Sequence, residues 1–182
     1  IMLQRDFLKW QGWKREIPEI ARNVVVTLGG GDPENVSIKV IKALSKVNIN
    51  HIEVAIVIGP TNPHLETIKN ELYHAPFAYR LLPLVRDMSE LMAWADFAVS
   101  AGGSTCWEMA FMGLPNIILF FEENQRAVAE TLDKEGMAVN LGYHKIVKID
   151  KIVQTLKEIV RAKETRTLMS MRGRTLVDGE GS

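Results

Sequence analysis

The sequence is poor in cysteine, and Cys106 is the only one it has. A single thiol cannot form a disulfide within the chain, which excludes the small secreted domains that disulfides hold together. We therefore expect a protein of the reducing cytoplasm. We interpret Cys106 as a packed thiol rather than a nucleophile, and its place at a predicted helix start would lower its pKa.

Long apolar runs are also missing. No stretch approaches the roughly 18 residues that a membrane-spanning helix needs, and no signal peptide is recognisable. Neither sign of charge is in excess, because 22 Lys and Arg balance 22 Asp and Glu and the basic residues are scattered. This argues against the basic patches of nucleic-acid-binding proteins. We expect no membrane span and no nucleic-acid partner.

Signatures of metals and familiar cofactors are lacking as well. The histidines show neither metal spacing nor the order of a catalytic triad, so we expect no metal and no cofactor. There is no P-loop motif, which disfavours a P-loop NTPase. Residues 29–34 (GGGDPE) fail the G-x-G-x-x-G pattern, and Glu53, the candidate ribose ligand, falls inside a predicted strand. A dehydrogenase is therefore disfavoured too.

What the sequence does contain is a regular alternation of short apolar runs with amphipathic segments. The runs predict strands at residues 23–28, 51–59, 77–83, 97–99, 116–121 and 137–142. The amphipathic segments predict helices at residues 36–47, 65–72, 88–95, 105–112, 124–135 and 149–162. This spacing predicts an α/β fold: a Rossmann-like parallel sheet of about six strands with helices on both faces and right-handed crossovers.

The two ends of the chain differ from this pattern. Residues 1–22, rich in Trp and charge, are interpreted as a linker or interdomain segment, and residues 23–182 as one domain. The chain stops at residues 176–182 (LVDGEGS), just after a segment that could form another strand. We interpret the chain as one half of a longer protein; the alternative is a loose terminus at each end.

Two glycine-rich turns follow predicted strands, at residues 29–32 and 101–105. In an open parallel sheet, ligands bind outside the carboxyl ends of the strands, near the switch in strand order. Each turn leads into a predicted helix, where free N–H groups and a partial positive charge can hold an anion. Because glycine has no Cβ, a phosphate can approach the backbone closely. The turns therefore predict a phosphate-binding site.

The second turn has an alternative explanation. Thr105 to Glu108 reads T-x-x-E, a capping box that would satisfy two helix N–H groups without a ligand. Capping does not account for the glycine pair, whereas contact with a diphosphate does, and Glu108 could then accept hydrogen bonds from both ribose hydroxyls. For Asp32 we expect an N-cap role, with Pro33 in the first turn, because a carboxylate would repel a phosphate.

Three segments together resemble one protein family. They are residues 26–35 (VTLGGGDPEN), 95–115 (ADFAVSAGGSTCWEMAFMGLP) and 122–142 (EENQRAVAETLDKEGMAVNLG). In this order and spacing they resemble the C-terminal half of the PseG/SpsG family, which contains the UDP-sugar hydrolase of pseudaminic acid synthesis and spore-coat polysaccharide proteins. That family is similar to MurG-type glycosyltransferases. The resemblance implies the C-terminal half of a GT-B fold, which is the half that binds the nucleotide of a nucleotide-sugar.

The resemblance also implies roles for residues that match the family's motifs. The turn facing the diphosphate would consist of Gly102, Gly103, Ser104 and Thr105, and Glu108 would hold the ribose. The uracil would lie against Leu84, Val85 and Met88. Residues facing the sugar or lining the interdomain cleft would be Asn124, Gln125, Gly30 and Gly31. For Asn124 and Gln125 the alternative is an ordinary helix start.

The partners implied by the resemblance are a UDP-sugar and the N-terminal domain of the same protein. The family's proposed catalytic histidine lies in a glycine-rich loop of that domain, and this chain has no G-x-G-H segment. We therefore assign no catalytic residue and expect the chain alone to bind nucleotide weakly and catalyse little. Three functions stay open: half of a UDP-sugar hydrolase in surface polysaccharide or nonulosonic acid biosynthesis, the donor domain of a glycosyltransferase, or a non-catalytic nucleotide-sugar-binding module.

Overall fold

The structure, a computed structural model, describes residues 5–177 and contains one six-stranded sheet. Its strands are β1 (Asn23–Thr27), β2 (Glu53–Val57), β3 (Ala78–Leu82), β4 (Phe97–Ser100), β5 (Asn116–Phe120) and β6 (Ala138–Tyr143). Their order is β3-β2-β1-β4-β5-β6, and all neighbours are parallel. This is the order of doubly wound nucleotide-binding sheets, with the switch between β1 and β4. The predicted Rossmann-like fold is confirmed.

Helices cover both faces of the sheet. Within the described residues they are α1 (Arg5–Leu8), α2 (Val36–Ser45), α3 (Leu65–Tyr73), α4 (Met88–Trp94), α5 (Thr105–Phe111), α6 (Glu123–Lys134), α7 (Ile149–Arg161) and α8 (Lys163–Leu176). Because strand side chains alternate between faces, Val24 and Val26 belong to one buried core and Val25 to the other. None of these helices is both long and apolar enough to cross a membrane.

Each predicted strand overlaps an observed one, and strand ends differ by at most two residues. The further strand expected just before residues 176–182 is wrong, because α8 occupies that position. Met169, Ser170 and Gly173 are buried there at the spacing of one helical face. Gly173 packs directly on α5, since a Cβ on it would come 2.6 Å from the carbonyl oxygen of Ala110. Residues 178–182 lie outside the described residues.

Residues 5–15 pack against the α4 and α5 face of the sheet, whereas Ala21 belongs to the core on the opposite face. Phe7 is buried in the core, and Trp10 Nε1 donates a hydrogen bond to Ser89 Oγ at 2.8 Å. The guanidinium of Arg15 is buried, which lowers its pKa to about 10. It donates to the carbonyl oxygens of Met92 at 2.7 Å, Met112 at 3.2 Å, and Ala95. The interdomain role of this segment stays a prediction, but its anchorage to the sheet domain is direct.

Candidate functional site

The two glycine turns lie side by side at the carboxyl edge of the sheet. Residues 29–31 follow β1 and residues 101–105 follow β4, and these two strands are parallel neighbours at the switch in strand order. The N–H of Ala101 donates to the carbonyl oxygen of Thr27 at 3.3 Å, which joins the two strand ends directly. The fold thus brings both predicted turns to the place where doubly wound sheets bind ligands.

The backbone of the 101–105 turn presents a row of free donors. Within residues 5–177, the N–H groups of Gly102, Gly103, Ser104 and Thr105 have no hydrogen-bond acceptor. Pairing resumes at Cys106, whose N–H donates to the carbonyl oxygen of Gly103 at 3.1 Å. Consecutive backbone amides of this kind can bind an anion, because each N–H carries partial positive charge and the turn need not rearrange to present them.

The two glycines of this turn have different roles. A Cβ on Gly103 would meet nothing within 4 Å, so this glycine leaves the backbone open to an approaching group. Gly102 is buried, and a Cβ on it would come 2.8 Å from the carbonyl oxygen of Gln125. The prediction that the missing Cβ serves a ligand is therefore wrong for Gly102, although its N–H belongs to the row of free donors. That residue is glycine because the turn packs against the start of α6.

The capping box, which was the alternative explanation of the T-x-x-E segment, is not formed. Thr105 is the first residue of α5, and Ser104 occupies the N-cap position without a side-chain capping hydrogen bond. The backbone of Ser104 is already helical (φ −58°, ψ −29°), whereas an N-cap side chain reaches the amides from an extended backbone. Glu108 is therefore not occupied with capping. It is partly buried, and this burial raises the pKa of its carboxyl group.

The thiol of Cys106 is a packed group, as expected. It is 1% exposed, and desolvation raises its pKa. The predicted lowering of this pKa by the helix start is wrong, because removal of the thiolate from water outweighs the favourable field of one short helix.

Asp32 caps α2, although not from the predicted position. Its carboxylate accepts hydrogen bonds at 2.8 Å from the backbone N–H groups of both Val36 and Ser37. The helix begins only at Val36, and Asn35, in the left-handed conformation (φ 51°), takes the N-cap position. Pro33 therefore precedes the first turn instead of lying within it. The carboxylate is buried and is occupied by the first two amides of the helix.

The 29–31 turn rests on another backbone. A Cβ on Gly59 would lie only 1.9 Å from the carbonyl oxygen of Gly30, so the two chains meet in direct backbone contact. On its other side the turn is open: a Cβ on Gly30 meets nothing within 4 Å. Nothing in the local sequence after β2 indicates this contact, and Gly59 was not among the predicted site residues.

Leu84 and Val85 border a cavity of about 560 Å³ beside β3 and α4. Leu84 is an apolar residue that is 75% exposed. Arg80 and Trp94 also line this cavity, and the guanidinium of Arg80 lies 4.4 Å from the ring centroid of Trp94. Met88 instead packs against the core of the α4 and α5 face. The cavity is thus bordered by two of the three residues expected at the base.

The two residues expected at the sugar lie at the start of α6. Asn124 is exposed, while Gln125 Oε1 accepts a hydrogen bond from the N–H of Phe121 at 2.8 Å. The Gln125 carbonyl group therefore serves the local backbone, as the alternative of an ordinary helix start expects, and its amide NH₂ remains as donor. Within residues 5–177, no group of His, Cys, Asp and Glu side chains is placed to hold a metal ion.

Known proteins are similar to this chain in sequence and in fold. It is 33% identical over 161 residues to the spore coat polysaccharide biosynthesis protein SpsG of Bacillus subtilis, covering 88% of this chain and 47% of that protein. It is 28% identical over 151 residues to the Helicobacter pylori protein named pseudaminic acid cytidylyltransferase and UDP-2,4-diacetamido-2,4,6-trideoxy-beta-L-altropyranose hydrolase, covering 83% of this chain and 27% of that protein. The resemblance to SpsG and PseG is confirmed.

Solved structures show the same fold. MurG of Acinetobacter baumannii superimposes with a TM-score of 0.76 at 18% identity, over 92% of this chain and 51% of MurG. The chain spans about half the length, or less, of the curated relatives it matches. The family model of the glycosyltransferase family 28 C-terminal domain matches residues 23–177. The chain therefore belongs to the glycosyltransferase family 28 C-terminal domain family.

Proposed function

We propose that this chain is the nucleotide-binding half of a UDP-sugar hydrolase acting in surface polysaccharide or nonulosonic acid biosynthesis. The observation that carries the proposal is the row of free amides from Gly102 to Thr105 at the switch in strand order. A diphosphate would accept hydrogen bonds from these amides, with Gly103 providing the closest approach. Relatives named for UDP-sugar hydrolysis and for UDP-N-acetylglucosamine transfer support a UDP-sugar as the ligand.

The other groups at this edge complete the proposed nucleotide-sugar site. Glu108, partly buried and free of capping bonds, would accept hydrogen bonds from the ribose hydroxyls. Leu84 and Val85 would lie against the base, with Met88 supporting them from the core. Gly30 and Gly31 would line the cleft, while Asn124 and the amide NH₂ of Gln125 would face the sugar.

In the proposed reaction a water oxygen forms a bond to the anomeric carbon while the bond from that carbon to the diphosphate oxygen breaks. The water proton passes to a general base, which we place in the N-terminal domain, and UDP leaves with the bonding electrons. The amides of the 101–105 turn would stabilise the charge that develops on the leaving diphosphate. This chain would therefore assist the departure of UDP rather than the attack of water.

A glycosyltransferase is the second candidate, favoured by sequence similarity to relatives named as UDP-N-acetylglucosamine transferases. An acceptor hydroxyl would replace water, and the donor pocket in this chain would stay the same. A non-catalytic nucleotide-sugar-binding module is the third. Incubating the full-length protein with a UDP-sugar, with and without an acceptor, separates the three. Free sugar and UDP indicate a hydrolase, sugar on the acceptor a transferase, and bound but unchanged UDP-sugar a binding module.

Replacing Glu108 with glutamine should weaken UDP binding by about 1–3 kcal/mol, the usual cost of a lost charged hydrogen-bond partner. The unfolding free energy should change little, because Glu108 makes no capping contact in α5. Calorimetric titration of the chain with UDP measures the first quantity and urea unfolding the second. Glu130→Gln, the same change at an exposed position of α6, is the control. Equal UDP affinity in Glu108→Gln and wild type would remove Glu108 from the site.

UDP affinity should also fall on acidification, and the fall should begin at a higher pH than it would for a glutamate with an ordinary pKa. Burial raises the pKa of Glu108, so the carboxylate that accepts the ribose hydroxyls is present above this raised pKa and is lost as pH falls through it. The phosphate groups of UDP titrate in wild type and Glu108→Gln alike. Calorimetry across pH should therefore show a difference between the two proteins that closes at acid pH. A constant difference would contradict this assignment.

A further inference from the structure

A buried polar cluster lies directly beneath the 101–105 turn. It consists of Ser100 at the end of β4, Asn116 at the start of β5, and Cys106 in the first turn of α5, which are 1%, 2% and 1% exposed. The strand positions around them are filled by apolar residues, so three polar side chains are costly here unless they are hydrogen-bonded. Their bonds converge on one backbone atom.

Asn116 is the first donor of this cluster. Its Nδ2 donates to Ser100 Oγ at 2.8 Å and lies 3.6 Å from Cys106 Sγ, within reach of a hydrogen bond to sulfur. The Ser100 hydroxyl has one proton and also lies 3.0 Å from Asn116 Oδ1. Because Ser100 Oγ already accepts a hydrogen bond from Asn116 Nδ2, we assign the proton of the Ser100 hydroxyl to another acceptor.

Both remaining protons meet at the carbonyl oxygen of Ala101. Ser100 Oγ lies 3.1 Å from this oxygen, and Cys106 Sγ donates to it at 3.0 Å. The carbonyl group of Ala101 is therefore held inward, on the buried cluster.

The direction of this carbonyl fixes the direction of the next amide. The C=O of Ala101 and the N–H of Gly102 belong to one planar peptide unit, and in a trans peptide they point in opposite directions. The described residues contain no cis peptide bond. With the carbonyl oxygen held on the cluster, the N–H of Gly102 points away from the core.

We infer that Asn116 is a positioning residue for the nucleotide-binding turn. Through Ser100 and Cys106 it holds the carbonyl of Ala101 inward, and this aims the amide of Gly102 at the diphosphate. The inference rests on the proposed function, and it adds a residue that touches no ligand itself. It also explains why β5 begins with a buried asparagine in an otherwise apolar strand.

The test compares UDP with uridine, which has no phosphate. Asn116→Leu keeps the size of the side chain and removes its donors, while the double variant S100A/C106A removes both donors to Ala101. Each should bind UDP about tenfold more weakly and uridine with unchanged affinity, because only an amide that meets phosphate loses its orientation. Cys106→Ser, which keeps a donor, should bind UDP nearly as wild type does. NMR titration of the chain measures all these affinities.

Thr155→Val is the matched control. It removes one buried hydroxyl from α7, on the opposite face of the sheet, and should bind UDP and uridine as wild type does. Equal losses for UDP and uridine would mean that the cluster only stabilises the fold and would overturn the inference, as would full UDP affinity in both cluster variants. If Asn116→Leu does not fold, S100A/C106A decides. Wild-type protein that fails to bind UDP would overturn the proposed function itself.

Discussion

Gly103→Val is expected to reduce UDP binding by about 3 kcal/mol or more, about a hundredfold, while the protein stays folded. A Cβ on Gly103 meets no atom within 4 Å, and its φ lies outside the left-handed region, so the backbone accepts a side chain. The branched side chain would occupy the space in which the diphosphate meets the turn. At least two charged hydrogen bonds would be lost, each of about 1.5–3 kcal/mol. Calorimetry with UDP gives the affinity.

Gly103→Ala is the graded companion of this variant, because one methyl group obstructs less space and should cost less affinity. Unfolding in urea should give nearly the same midpoint for wild type, Gly103→Ala and Gly103→Val. If the valine variant is folded and binds UDP as tightly as wild type, the diphosphate does not lie on this turn, and the proposed function loses the observation that carries it.

Gly59→Ala is expected to be the most destabilising of the single-methyl changes at this edge, by about 3 kcal/mol. The new Cβ would lie 1.9 Å from the carbonyl oxygen of Gly30 and 2.5 Å from its carbonyl carbon and Cα. These are backbone atoms, so a rotamer change cannot relieve the overlap and the 29–31 turn must move. Urea unfolding measures the loss of stability.

Gly30→Ala is the control on the other side of the same contact. It adds the same methyl group to a position with no atom within 4 Å, so the unfolding free energy should stay within about 1 kcal/mol of wild type. Similar losses in Gly59→Ala and Gly30→Ala would show that the close contact between the two backbones does not exist in solution.

The sequence predicts the sheet well because buried parallel strands carry their own signal. In β1 and β5, apolar residues follow one another without interruption and the run ends before Gly or charged residues, so that the element type and its ends can both be predicted. The C-terminal region has no such signal. Met169 and Ser170 are buried while Met171 is exposed, and this arrangement becomes intelligible only once α5 is known to lie beneath Gly173. Tertiary contact, not local pattern, decides α8.

The residues of the candidate site also differ in whether local sequence or a distant contact determines their identity. Residues that act through local backbone geometry, such as Gly103 at the end of a buried strand, are predicted from sequence because turn chemistry is local. Gly102, Gly59 and Asn116 owe their identities to partners 23, 29 and 16 positions away, at Gln125, Gly30 and Ser100. No short motif encodes such pairs, so sequence reasoning gave the first an incorrect role and missed the other two.

Arg15 has a consequence for how this protein is prepared. Its guanidinium meets the last carbonyls of α4 and the carbonyl of Met112 after α5, where helices carry partial negative charge. Those same two helices begin beside the segments that we propose to bind the base and the diphosphate. A fragment that begins at residue 23, where the family match begins, would lack Arg15 and Phe7. It would expose these carbonyl oxygens and the apolar surface against which Phe7 packs. Recombinant versions should accordingly start upstream of α1.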